Sequence, residues 1–281
     1  MRFAYAIVGV AFLVGCSGDA ADTSHTDDSQ QAPGNTEMRE YPSPETWEHG
    51  SERQHQRAAR SLEQLKRRHV PAYSGPLMVD DDEEVRLQNA QEVARRTLVL
   101  WAVELRAEGM PQKEALELID QLDLWDSVSA EEKRFLEDDA PDPDECQALV
   151  WRLESIWVLL WALGYIDELD WPGGMCDVPK LVKILKPLES DPQFITGAKL
   201  RSKADILDAQ DLIMRIHWAV REAYLRGGGI VPDDLDWSHD SDWIPVSMSA
   251  AIGVVEQRHY TLNWLVNFLD PEDWDHVDTP T

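Results

Sequence analysis

Beyond about residue 50, apolar residues recur along the chain at steps of three and four, the spacing that lines one face of an α-helix. The pattern predicts a basic amphipathic helix over about Glu52–Arg68, stopped at Val70-Pro71 because the residue before proline avoids helical backbone. A second runs from Arg86 to Ala107 with Val93, Leu100 and Val103 on one side. Pro111 opens a third at its first turn, and Ser129 with Glu132 forms a capping-box start for a fourth, ending near Glu137. Two longer helices follow. Lys203–Leu225 carries Ile206, Ile213, Ile216 and Val220 on one face and is closed by Gly227-Gly228-Gly229. About Ser249–Leu269 carries Ile252, Val255, Leu262 and Val266, with Glu256, Tyr260 and Asn263 on another side. Asp80–Glu84 reads as a solvated loop or a helix start, where acids suit the dipole, and Asp138–Glu145 as an acidic loop. No segment alternates like a strand for long, so the expected class is all-α, a single orthogonal helical bundle around buried central helices.

The most central of these is Trp151–Ile166, WRLESIWVLLWALGYI. Its unbroken apolar part, Ile156–Ile166, is about half of the roughly 20 residues a bilayer needs. A helix apolar on every side yet too short to span is a core helix, so the membrane reading is rejected. Gly164, Pro172 and Gly173-Gly174 close it.

The first 50 residues follow different rules. Met1-Arg2 and the apolar run Phe3–Val14 have the form of a secretory signal, and Leu13-Val14-Gly15-Cys16 resembles the lipobox of bacterial lipoproteins. That resemblance implies a leader over 1–15, cleavage before Cys16, lipidation of its sulfur and new amine, and stable membrane anchoring. The expected address is the bacterial cell envelope, on the outer membrane facing the periplasm. Residues 16–50 are rich in Asp, Ser, Thr, Gln, Pro and Gly and predict a tether reaching roughly 30 Å from the anchor. The remaining chain, 51–281, forms the helical domain.

Charge narrows the partners. The chain of 281 residues holds 53 acidic against 26 basic residues, a net −27. Such a surface repels phosphate backbones and excludes nucleic acid as a partner. It favours a cationic protein or peptide, or reflects adaptation to a salty medium. Phosphate-binding glycine loops, paired-histidine zinc motifs, Cys-x-x-Cys and the Gly-x-Ser-x-Gly elbow are all absent, so no cofactor or metal is implied. Asp236, His239, Asp240 and Asp242 read as a solvated acidic loop, since nothing fixes metal geometry among them. Cys146 and Cys176 flank the central helix, whose ends lie roughly 24 Å apart. They are either two buried thiols or a disulfide made by the returning chain.

One string of segments resembles the family called domain of unknown function 4272. It begins at Ser61-Leu62, Leu65-Lys66 and Val70-Pro71, and continues at Glu92-Val93-Ala94-Arg95. It is densest in Trp151-Arg152-x-Glu154, Leu160–Gly164 and Cys176-Asp177. It recurs in Leu200-Arg201, Ile206–Asp208, Asp211-Leu212, Arg215 and His217-Trp218-Ala219, then in Arg258-His259, Leu262–Leu265 and Trp274-Asp275. The resemblance implies a helical domain and no assigned activity.

The charged residues within this string decide between a site and a core. Arg152 and Glu154 stand roughly 200° apart on their helix and cannot pair with each other. A buried Arg152 needs a carboxylate from elsewhere, because an unpaired buried charge is costly; Asp208, Asp211 and Glu256 are the available acids, with Arg215, His217 and Arg258 close to them in sequence. One reading is an internal ion-pair network pinning the central helices; the other is a pocket where these residues bind a ligand or do acid–base work. At the level of function the corresponding readings are a lipid-anchored protein that acts by binding and a hydrolase using the Arg/Asp/Glu/His cluster. Trp157, Trp161 and Trp218 are expected in the core. Trp237, Trp243 and Trp274, set among acids and prolines, are expected on an aromatic-acidic surface.

Overall fold

The fold is built outward from one helix that water does not reach. In the computed structural model, which describes residues 41–227, 248–271 and 273–281, the stretch Leu153–Ala162 is buried on every side. This helix, α6 in chain order, spans Arg152–Ala162. Before it come α1 (Glu52–Arg67), α2 (Ala90–Ala107), α3 (Gln112–Gln121), α4 (Ala130–Glu137) and α5 (Pro143–Val150). After it come α7 (Val178–Leu188), the single turn α8 (Gln193–Thr196), α9 (Lys203–Gly227) and α10 (Met248–Leu265). No strand occurs among the described residues, so the class is all-α. α2 and α10 pack against α6, α9 lies along α10, and α1 covers α9. Complete burial of each Leu, Ile or Val in α6 contributes roughly 1.5–3 kcal/mol, which places the centre of the fold energetically as well as spatially.

Local chemistry fixes the helix ends. Ser51 and Gln54 form a reciprocal capping box at α1, and Ser129 with Glu132 does the same at α4. Asn89 starts α2 by accepting from the Gln91 N–H. α6 ends in a Schellman motif: Gly164 takes φ +82°, and the Tyr165 N–H returns to the Leu160 carbonyl at 2.9 Å. Arg201 then covers the same end. Its guanidinium donates to the carbonyls of Trp161 at 2.6 Å and Asp167 at 2.7 Å, and its backbone N–H to Ala162 at 2.8 Å. A cation there also suits the negative end of the helix dipole. At the other end Gly253 lets α10 approach, since a β-carbon at that position would lie 2.8 Å from the Trp151 indole.

Several expectations are corrected. The acidic loop Asp138–Glu145 is helical from Pro143, because proline fits a helix start and Asp142 caps it. α7 and α8 had no counterpart in the apolar pattern. α2 starts at Ala90, and α10 stops at Leu265 in a turn where Asn267, Leu269 and Asp270 all take positive φ. Residues 41–50, read as tether, are folded onto the domain: the Tyr41 hydroxyl donates to the Val70 carbonyl at 2.8 Å, and Trp47 meets His55 edge-on. The expected leader, Cys16, the remainder of the tether, Gly228-Gly229, Asp236, Trp237, His239, Asp240, Asp242 and Trp243 lie outside the described residues.

Candidate functional site

The acid that turns inward from the first turn of α6 is Glu154. It is fully buried and holds Arg258 of α10 at 2.8 Å, the guanidinium itself 1% exposed. Its second oxygen accepts the Cys176 N–H at 2.5 Å. Arg258 also donates to the Asp170 carbonyl at 2.6 Å, and the Trp157 indole N–H to the Asp170 carboxylate at 2.9 Å. One carboxylate thus joins the start of α6, the chain before α7 and the middle of α10. Cys146 and Cys176 are free thiols. Burial and the neighbouring Glu154 carboxylate push the Cys176 thiol upward, so it stays protonated and unreactive.

The other charges expected near this point go elsewhere. Asp211 and Arg215, one turn apart on α9, form a buried pair at 2.8 Å, and Arg215 also donates to the Leu77 carbonyl. Asp208 faces α1 and is shared by Arg57 at 3.1 Å and Arg60 at 2.6 Å. Glu256 is exposed. The candidate residues therefore do not converge on one place.

The expected pairing of Arg152 with Asp208, Asp211 or Glu256 is not found. Two residues of helix rotation separate Arg152 from Glu154, and once Glu154 takes the inward position Arg152 is left at the edge of the fold, half-buried. Its guanidinium donates to the Gln257 side-chain carbonyl at 3.1 Å and stacks 5.3 Å from the Tyr260 ring and 5.5 Å from that of Trp274. Aromatic faces attract a cation without requiring a second charge. Among the described residues no acid lies within ion-pair distance of it.

His217 of α9 and His259 of α10 meet in the core, Nδ1 to Nδ1 at 2.8 Å with their rings perpendicular. One nitrogen must donate and the other accept, so the contact needs at least one Nδ1 without a proton. Burial lowers His217 to about 4, helped by the Arg221 charge, and His259 to about 3, helped by His217. Both rings are neutral at physiological pH.

Residues 57–277 match the family described as domain of unknown function (DUF4272). The chain belongs to this family. A search of curated proteins and a search of solved structures found no match. In this DUF4272 domain, residues that carried the family resemblance hold α6 at both ends: Glu154, Cys176 and Arg258 at its start, Arg201 at its finish.

Three features were not visible in the sequence. Arg96 of α2 and Glu132 of α4 form a buried pair at 2.6 Å, with Arg96 also donating to the Ser127 carbonyl. Glu104 of α2 is buried, one of its oxygens has no partner among the described residues, and desolvation with the nearby Glu108 raises its pKa to about 8. Trp274, expected on the surface, is 1% exposed. A 3-10 turn at Trp274–His276 aims its indole inward, against Trp264 at 5.3 Å and under the Arg96 guanidinium at 5.0 Å. Trp157 and Trp161 are core as expected, while Trp218 is only part-buried, beside Tyr73.

Proposed function

We propose that this chain acts by binding, presenting an acidic surface to a cationic protein or peptide while Cys16 anchors it by lipid to the bacterial outer membrane, facing the periplasm. The observation that carries the reading is the disposition of charge. The acids and arginines that offered themselves as chemistry are largely committed to pairs: Glu154 is 0% exposed and Arg258 1%, and Asp211 and Arg215 are equally enclosed. Most acids among the described residues are exposed, so the acidic surplus of a chain of net charge −27 is available to a partner. The same enclosure weighs against the hydrolase reading, because neither water nor substrate reaches Glu154, and the two core histidines occupy each other.

The reading is tested by calorimetric titration of the full chain with poly-lysine at low and raised salt. Binding is expected to weaken steeply with salt, as exposed charges are screened within roughly 8 Å at physiological ionic strength. Binding that is absent or indifferent to salt overturns it, and stability that rises with salt in that case assigns the acidity to salt adaptation. The anchor is tested by fatty-acid labelling and detergent partition, in which Cys16→Ala is expected to lose both the label and the detergent phase.

A further inference from the structure

We propose that a basic residue of that partner docks, side chain and main chain together, in a cleft formed by α2, the turn before α4, and the chain leaving α10. The inference rests on the binding reading above and gives it a place. The cleft has a volume of 460 Å³, within the range of small-ligand sites, roughly 300–1,000 Å³. That is room for one long side chain and its flanking backbone. Its rim carries Glu92, Asp126 and Asp273, all exposed. Among the described residues no cation lies within ion-pair distance of Glu92 or Asp126. His276 donates to Asp273 at 2.7 Å and holds its carboxyl below the usual range, so it stays ionised. The positive charge that lines the cleft, Arg96, is neutralised from behind by Glu132. The net field therefore selects a cation, and Trp264 offers an apolar wall for an aliphatic stem.

A second observation defines what else the occupant carries. Two residues lining the cleft, Trp274 and Arg96, are 1% and 6% exposed, and each keeps a buried N–H without an acceptor among the described residues, the indole Nε1 and the guanidinium Nε. A buried donor left unmet is costly, and a bare cation does nothing for it. A peptide carbonyl does. Both nitrogens are shielded from bulk water, so a carbonyl that reaches them must shift the cleft wall, and the Trp274 indole reports its arrival.

The test titrates the full chain with acetylated, amidated tetra-arginine, read by calorimetry and by the Trp274 indole N–H resonance. Glu92→Gln with Asp126→Asn is compared with Glu63→Gln with Glu117→Gln, which removes the same charge from α1 and α3 outside the cleft. The cleft pair is expected to lose about tenfold in affinity and the control pair under about twofold, with the indole resonance moving in the wild-type chain. Equal losses in the two pairs, or an unmoved indole, overturn the cleft while leaving the acidic-surface reading standing. No binding by the wild-type chain overturns both. Spermine, which carries the same four charges but no carbonyl, is expected to bind more weakly; equal binding overturns the peptide assignment in favour of a simple organic cation.

Discussion

Among the buried acids of the fold, charge is matched with one exception; at the cleft rim it is not. Four acids are buried among the described residues, and three of them have arginine partners: Glu132 with Arg96, Glu154 with Arg258, and Asp211 with Arg215. Glu92 and Asp126 at the rim have none among the described residues. The contrast shows that the acidity of this chain is separable from its folding. Arginine is placed where a lone carboxylate would be intolerable, and the surplus of acid is left where water tolerates it. Glu104 is the exception inside, and it meets the cost by holding its proton.

The contrast is broken most directly by removing one inner cation. Arg258→Met strands Glu154 and is expected to destabilise the domain by roughly 3–5 kcal/mol, measured by urea unfolding. Adding Glu154→Met should recover much of the loss if the pair is structural. A single variant as stable as the wild type means that the pair does not bear on the fold.

Acid attacks the same interior without mutation. Both core histidines have folded pKa values below the ordinary 6.5, so the unfolded chain takes up protons first as pH falls. Their contribution is complete above pH 6.5 and is lost on the way down to their folded values of about 4 and about 3. Between pH 7 and 5 the pair should cost about 4 kcal/mol, and His217→Phe with His259→Phe should flatten that slope. Glu104 works in the opposite sense. Its folded pKa is raised, so stability is complete below about 4.5 and declines as pH climbs towards 8. Glu104→Gln should therefore stabilise the chain by about 4 kcal/mol at pH 8 and by about 1 kcal/mol or less at pH 5. Equal effects at the two pH values would show that Glu104 has an ordinary pKa.

The smallest effect is expected at the boundary between the two regions. Arg152→Met should change stability by about 1 kcal/mol or less, because it removes ring stacking and one hydrogen bond, not an ion pair. A loss near that of Arg258→Met would place Arg152 in the buried network after all.

How much of this was legible in the sequence depends on the range of the interaction responsible. α6 was legible because an unbroken apolar run has one home in a short helix, and α4 because Ser129 and Glu132 declare its start locally. α7 was not, since Pro179, Pro187 and three lysines obscure its apolar stripe. That Glu154 and Arg152 diverge follows from helical rotation alone. Which of them faces inward depends on Arg258, 104 residues away. Trp274 was misplaced because acidic neighbours describe the surroundings of a residue in sequence, not the direction in which a 3-10 turn points it. The cleft gathers residues from 88 to 130 and from 264 to 274, a meeting that no local pattern announces.

The two fastenings of α6 also govern how the domain can come apart. Its start is held by residues 176 and 258 and its finish by residue 201, all later in the chain than the helix itself. Neither end can fray alone, because releasing the first turn means freeing Arg258 from Glu154, and releasing the last means freeing Arg201 from its carbonyls. Amide hydrogens in α6 should therefore exchange with deuterium only when the whole domain opens, and their exchange rate becomes a direct reading of its global stability.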